Sequence, residues 1–409
     1  NGGDARIAAE HLPGRSQVLI DATDPVSALR DFKHALEQRP DLIVDGLFGI
    51  GLNRDLDEDH CDLVHAVNLA KIPVLAVDCP SGLNADTGKA MGAAIMAKRT
   101  VTLGTPKIGL LQPCADDHVG TLEVADRIGL SGDLPDSDQL WLTTADMHGM
   151  PPDRMPSSHK GVHGHLGIVA GSTGYHGAAC LCARAALRAR PGLVSVFTPA
   201  YQAVASHLQS TMVHPWSTDL VEPMSACTAM VIGPGLAGAD VPDSLRMVAS
   251  QMWRESLMPI IGDASALDWL PVGETPENAT RVMTPHPGEA ARMLNCTTGN
   301  IQQDRFAATR QLATTYGATI VLKGRHTIIG QADGPALVNP TGNFGLAQGG
   351  SGDVLAGFLG GLLAQPQFHD RAVQAIAYAA WQHGHAADQL TANGQYWGMD
   401  ELIITLGSR

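Results

Sequence analysis

The run Asn339-Pro340-Thr341-Gly342-Asn343-Phe344-Gly345-Leu346-Ala347-Gln348-Gly349-Gly350-Ser351-Gly352-Asp353, continuing Val-Leu-Ala-Gly-Phe-Leu, joins a glycine-rich turn to an apolar helical segment. Glycines 349, 350 and 352 lack the Cβ that would keep neighbouring backbone amides apart. A helix over Asp353–Ala364 adds the partial positive charge of its N-terminus. Turn and helix together suit a phosphoryl group in transfer, held by the Gly350, Ser351 and Gly352 amides. Asp353 reads in two ways at that position. It is either an N-cap, stabilising by about 1 kcal/mol, or the base that takes a proton from an attacking hydroxyl.

Four more loops of the same kind lie upstream. Gly171-Ser172-Thr173-Gly174-Tyr175-His176-Gly177-Ala178 joins an expected strand, Leu166–Ala170, to an Ala-rich helix over Ala178–Arg190. Gly233-Pro234-Gly235-Leu236, Thr284-Pro285-His286-Pro287-Gly288-Glu289 and Lys323-Gly324-Arg325-His326-Thr327 each follow an apolar run. The expected strands are Leu193–Phe197, Ala229–Ile232, Pro259–Ile261, Arg281–Met283, Thr319–Leu322, His326–Ile329 and Ala336–Asn339, short and rich in β-branched residues. In a parallel sheet, loops at successive strand C-terminal ends gather on one edge, where α/β proteins bind ligands. Five such loops point to a nucleotide cleft. Taken singly, Lys323 also reads as a solvated charge and His286 as a turn cap. His159, His163 and His165 have no acidic or Cys partner beside them and are not expected to bind zinc.

The first third alternates in the same way. Strands are expected at Ser16–Ile20, Leu42–Val44, Val74–Val77 and Thr100–Leu103, with a helix from Asp59 to Ala70, which again implies a parallel sheet covered by helices. Clustered Pro, Ser and Asp between Ser131 and His159 mark a connection. Two domains follow, 1–137 and 138–409, with 139–158 expected on the surface of the second. A length of 409 residues suits that division.

Hydrophobic residues make up 44% and charged residues 17%, with 27 Lys plus Arg against 41 Asp plus Glu, so the chain is globular and acidic. A formal charge of −14 argues against nucleic-acid binding, which draws on cationic contacts to phosphates. Backbone amides still hold a small phosphate ligand without net positive charge. The 7 cysteines are scattered without a CxxC pair, which fits a reduced, cytoplasmic setting. No apolar run of about 18 residues is present and no membrane association is expected. The chain opens at Asn1 inside a motif, so a segment upstream is expected to have been removed.

In their order, His159-Lys160-Gly161, the Thr-Pro-His-Pro-Gly-Glu run, the Lys-Gly-x-x-Thr run and the Asn-Pro-Thr-Gly-Asn…Gly-Gly-Ser-Gly-Asp run resemble the ADP/ATP-dependent NAD(P)H-hydrate dehydratases, over 159–409. The resemblance implies a ribokinase-like α/β fold. It also implies ADP- or ATP-dependent dehydration of the S form of hydrated NADH or NADPH, releasing phosphate with AMP or ADP. Ala178, Gly235, His286 and Asp353 then contact the hydrated dinucleotide, and Lys323 to Thr327 with Gly352 the adenine nucleotide. Mg2+ is expected as the phosphate counterion, and a homo-oligomer as the assembly. Two departures stand out: Ala237 where the family carries Gly, and Ser265 where it carries a second Asp after Asp263.

Residues 1–127 resemble the NAD(P)H-hydrate epimerase domain often fused to that dehydratase, a Rossmann-like three-layer fold. The matching runs are Asn1-Gly2-Gly3-Asp4, Asp45-Gly46-Leu47-Phe48-Gly49-Ile50-Gly51-Leu52, and Val77-Asp78-Cys79-Pro80-Ser81-Gly82-Leu83-Asn84. The resemblance implies K+ at Asn1, Asp45 and Ser81. It implies substrate contacts from Asp78 and the 49–55 loop (Gly49, Gly51, Asn53), with Asp78 the acid/base. The family's opening segment has no counterpart and its motif is cut before Asn1, so this half is expected to be either an epimerase or an incomplete remnant. Competing readings of the whole are a small-molecule kinase of the same fold and a nucleotide-binding protein without turnover.

Overall fold

The computed structural model describes residues 25–126, 128–129, 136–217, 221–394 and 396–407. They fall into two compact units, Asn1–Asp133 and Leu134–Arg409. In the first, β1 (Ile43–Asp45), β2 (Val74–Val77), β3 (Arg99–Leu103) and β4 (Thr121–Ala125) form one parallel sheet in sequence order. The Glu58–Ala70 helix crosses from β1 to β2, capped by Asp57, whose carboxylate accepts the His60 amide. It buries Val64 and Val67 against Val74 and Ala76. The strand expected at Ser16–Ile20 and the candidate ligand Asn1 lie outside the described residues.

The second unit holds a ten-stranded sheet ordered β5-β14-β13-β12-β11-β10-β9-β6-β7-β8. The strands are β5 (Gln139–Trp141), β6 (His165–Val169), β7 (Leu193–Thr198), β8 (Met212–Pro215), β9 (Ala229–Ile232), β10 (Ile260–Gly262), β11 (Arg281–Met283), β12 (Thr319–Leu322), β13 (Ile328–Gly330) and β14 (Ala336–Val338). All run parallel except β13, which is antiparallel to both neighbours. Side chains alternate across a strand, so each central strand feeds two cores. Ile168, Val231, Ile261, Val282 and Val321 join one cluster with the helices His176–Arg188, Ser351–Leu363 and Ala372–Ala392. Val169, Met230, Ile260, Met283 and Ile320 join the other with the helices Asp243–Glu255 and Arg305–Tyr316. A strand buried on both faces has to be apolar throughout, which is why these runs show no alternation in the sequence.

The Ser351–Leu363 helix lies against His176–Arg188 at backbone distance. A Cβ on Gly357 would sit 2.0 Å from the Cys182 carbonyl oxygen, and one on Gly361 2.5 Å from that of Ala186. Glycines one turn apart therefore set the seat of the helix whose N-terminus bears Asp353.

On the far face, Arg281 is 2% exposed. Its guanidinium donates to the carbonyls of Trp253 (2.8 Å), Met258 (2.9 Å), Met252 (3.4 Å) and Ser256, and lies 5.6 Å over the Trp253 ring. Burial pulls it down to about 10, so it stays charged at neutral pH.

Several expectations need correction. The 139–158 stretch is not simply surface: β5 pairs with β14, and Leu142 and Met147 are buried. The strand expected at His326–Ile329 (β13) starts at Ile328, because His326 takes a left-handed turn (φ 51°). The Asp353 helix starts at Ser351 with Gly350 as N-cap (φ 96°), so Asp353 is its third residue and not its cap. Strands β4 and β8 were not foreseen. Among the described residues, no helix is long and apolar enough to cross a membrane.

Candidate active site

Strands β12, β11, β10, β9 and β6 are adjacent and parallel, so their C-terminal ends share one edge. Hydrogen bonds knit the loops there together. The Gly171 amide donates to Pro234 O (2.8 Å), the Ser172 hydroxyl to Gly235 O (2.7 Å), and the Lys323 amide to Pro285 O (2.9 Å). Ala178 and Gly235 face each other closely, since a Cβ on Gly235 would lie 2.8 Å from that of Ala178.

Lys323 is at the centre. Its ammonium lies 3.1 Å from Asp263 Oδ1 and 3.7 Å from Glu289 Oε2. It is also 3.3 Å from where a Gly352 Cβ would stand, which places it at the glycine turn. Burial works to lower its pKa, but Asp263, Glu289 and Asp353 outweigh that and raise it, so it is a firm cation. Asp353 moves the other way for a carboxylate. Burial foremost, then the Asp263 charge, with Lys323 opposing and Glu289 reinforcing, pushes it up to about 7. A carboxyl poised near neutrality suits proton transfer.

His286 is both cap and cleft residue. Its Nδ1 accepts the Gly288 and Glu289 amides at 3.0 and 3.3 Å, while Glu289 Oε2 accepts the His286 amide at 2.7 Å, a reciprocal capping box. Its other ring nitrogen stays at an exposed edge, 3.6 Å from Glu289 Oε1. The Lys323–Thr327 loop is shaped by the buried Arg305, which donates to Arg325 O (2.5 Å) and Leu322 O (3.1 Å). Thr327 closes the turn on Gly324 O at 3.0 Å. His326 packs edge-on to Trp141, with centroids 5.4 Å apart, and burial lowers it to about 3, so it is neutral.

Behind the glycine turn, the Ser351 hydroxyl lies 3.5 Å from His383 Nε2. His383 is lowered to about 4, chiefly by burial. The Asn339–Gly345 loop is tied to the Ala372–Ala392 helix through Asp388, which accepts the Gly342 amide (2.9 Å) and Asn343 Nδ2 (2.8 Å). Asp263, Asp388 and His383 had no role in the sequence reading. Their partners are distant in sequence, so no local spacing marks them. The Ser265 departure leaves Asp263 as the buried carboxylate of that turn, 1% exposed. His163 and His165 bond to the Ser158 and Ser195 hydroxyls instead of to each other.

In the first unit, the ends of β1, β2 and β3 bring Asp45, Asp78, Ser81 and Lys107 to one edge. Asp45 accepts the Ser81 amide (2.8 Å) and hydroxyl (2.5 Å), and Ser81 Oγ also accepts the Phe48 amide (2.9 Å). Asp78 sits in the left-handed region (φ 70°), where a non-glycine residue is strained. Its carboxylate accepts Lys107 Nζ, the Leu103 amide (3.0 Å) and Thr102 Oγ1 (3.3 Å). Burial opposes its ionisation, but these donors win and hold it below the usual carboxylate range. An ideal Cβ on Gly49 would lie 4.0 Å from Asp78 Oδ2, whereas Gly51 and Asn53 are exposed.

Comparison with known proteins follows the same division. Residues 166–406 match the family described as NAD(P)H-hydrate dehydratase, and residues 16–109 that described as YjeF-related protein N-terminus. A bifunctional NAD(P)H-hydrate repair enzyme of Gloeobacter violaceus is 37% identical, covering 100% of this chain and 85% of the relative. That of Escherichia coli is 38% identical over 90% of this chain and 71% of the relative. An ADP/ATP-dependent NAD(P)H-hydrate dehydratase from Bacillus subtilis, co-crystallised with ATP and Mg2+, superposes with a TM-score of 0.58 at 29% identity. It covers 65% of this chain and 96% of that one.

Proposed function

The chain belongs to the NAD(P)H-hydrate repair enzymes, and on that premise we propose that its second unit dehydrates hydrated NADH or NADPH at the expense of ADP or ATP, with Asp353 as the base. The observation that carries this reading is the Asp353 carboxyl, raised to about 7, beside the Gly350–Gly352 turn and the Lys323 ammonium. Hydroxide is a poor leaving group. Asp353 takes the proton of the C6 hydroxyl as its oxygen attacks the terminal phosphorus of the nucleotide, whose bridging P–O bond breaks. The Gly350–Gly352 amides and Lys323 steady the charge on the phosphoryl oxygens. The ring nitrogen lone pair then expels phosphate from C6, and loss of a proton from C5 restores the dihydronicotinamide. Ala178, Gly235 and His286 line the dinucleotide side, and Lys323 to Thr327 the adenine nucleotide side.

No group of three His, Cys, Asp or Glu able to hold a metal occurs among the described residues. Mg2+ fits as a nucleotide complex held mainly by the phosphates. It neutralises phosphate charge in the cleft.

For the first unit the reading is epimerisation of the C6 hydroxyl, with Asp78 as its base. The Asp45 carboxylate and Ser81 hydroxyl are hard oxygen donors that suit K+. The supporting feature is the Asp78–Lys107 pair on a strained residue at the strand edge. Asp78→Asn is expected to slow interconversion of the R and S hydrates by about a hundredfold or more, leaving dehydration of the pure S form unchanged. Chromatographic separation of the two epimers over time checks both halves of that statement.

A further inference from the structure

Asp263 takes no part in the chemistry proposed above, yet its carboxylate is 1% exposed where it follows β10, on the sheet edge that carries the glycine-rich loops. Burying a carboxylate is costly unless it is paired and hydrogen-bonded. Here Oδ1 accepts the Thr284 hydroxyl at 2.6 Å and the Lys323 ammonium at 3.1 Å. The backbone is equally committed: the Asp263 amide donates to Ile232 O (3.0 Å), Ala264 follows in the left-handed region (φ 49°), and Gly233 passes so close that a Cβ would lie 1.8 Å from Asp263 O. Three adjacent strands thus fix this carboxylate, and it in turn holds the Lys323 ammonium at the Gly350–Gly352 turn.

We infer that Asp263 is a positioning residue for dehydration: its carboxylate fixes the Lys323 ammonium over the glycine turn, along the path of the transferred phosphoryl group. This rests on the dehydratase reading of the site. A lysine is a flexible point charge, and Glu289, at 3.7 Å, holds it less closely than Asp263 does. Without Asp263, the ammonium is free to pair with Glu289 or with the base itself. The charged groups facing Asp353 are Asp263 after β10, Lys323 after β12 and Glu289 on the Pro287–Met293 helix. The neutral Cys182 thiol faces it from the His176–Arg188 helix.

The experiment compares the full chain with Asp263→Asn, Lys323→Met and the double variant, using the purified S hydrate with ADP or ATP and Mg2+. Asp263→Asn keeps the volume and an oxygen to accept Thr284. It is expected to lower kcat by about tenfold to a hundredfold, as small misplacements in an active site do, with nucleotide KM moved far less. The acid limb of kcat/KM is expected to shift to lower pH, because Asp353 loses a like-charged neighbour while Lys323 becomes available to it. The double variant should be no slower than Lys323→Met alone. A residue that only supports the fold would lower Tm and leave the acid limb in place, and that result, or additive losses in the double variant, overturns the inference. If Asp263→Asn does not fold, Asp263→Glu takes its place, and undiminished kcat in that variant overturns the inference. Failure of the base assignment is separate, since it shows as turnover surviving in Asp353→Asn.

Discussion

Asp353→Asn is expected to lower kcat for dehydration by about two to four orders of magnitude, the range of a general base, while nucleotide affinity changes by less than about threefold. The Asn side chain keeps shape and burial but takes no proton. The same substitution is expected to stabilise the protein, and the sign depends on pH. Asp353 moves from an ordinary value of 3.8 up to about 7 on folding, so the unfolded chain ionises it first. Folding then carries a penalty that is absent below about pH 4, grows between pH 4 and 7, and is complete above that. Asn removes the penalty, worth an upper bound of about 4 kcal/mol. Thermal melts should coincide at pH 4 and separate by pH 8, with the variant higher. Loss of activity together with a higher Tm is the mark of a functional residue that costs stability. Coincident melts at both pH values would show that Asp353 ionises as an ordinary surface carboxylate.

Arg281→Leu carries the largest expected stability loss. The leucine removes donors from the carbonyls of Met252, Trp253, Ser256 and Met258, at the C-terminal end of the Asp243–Glu255 helix. The Met252 carbonyl keeps the Ser256 amide at 2.9 Å, but for the others the loss of a buried donor costs about 1–3 kcal/mol each. A helix C-terminus also loses its cation. A loss of about 3–5 kcal/mol is expected, lowering Tm by about 10 °C. Denaturant unfolding of the second unit, followed by Trp253 fluorescence, measures it. Nucleotide binding in the native baseline should persist, because Arg281 lies on the face away from the glycine turn. A loss under 1 kcal/mol would mean that water or neighbouring donors satisfy those carbonyls as well as arginine does.

These two residues also show what is legible in a sequence of this kind. The placement of the glycine turn, Lys323 and His286 after strand ends was readable because such loops carry local spacing of Gly and Pro next to apolar runs. The central strands were readable because burial on both faces makes them continuously apolar. The role of Arg281 was not readable: in sequence it is a charge at the head of a three-residue strand, and only the helix terminus opposite explains it. Asp263 and Asp388 belong to the same class, since their partners lie 60 and 46 residues away. The β5 edge strand was missed for another reason. It sits among Pro, Ser and Asp, and tertiary pairing with β14 overrides weak local preference. The exact start of the Ser351–Leu363 helix turned on Gly350, whose positive φ lets the cap lie three residues earlier than an Asp353 cap would place it.

The most direct measurement supplies the purified S hydrate of NADH with ADP or ATP and Mg2+, and follows nicotinamide absorbance and inorganic phosphate together. Equal amounts of restored NADH and free phosphate, both abolished in Asp353→Asn, are the predicted result. A stable phosphorylated product without free phosphate, or nucleotide binding without either signal, would contradict the account.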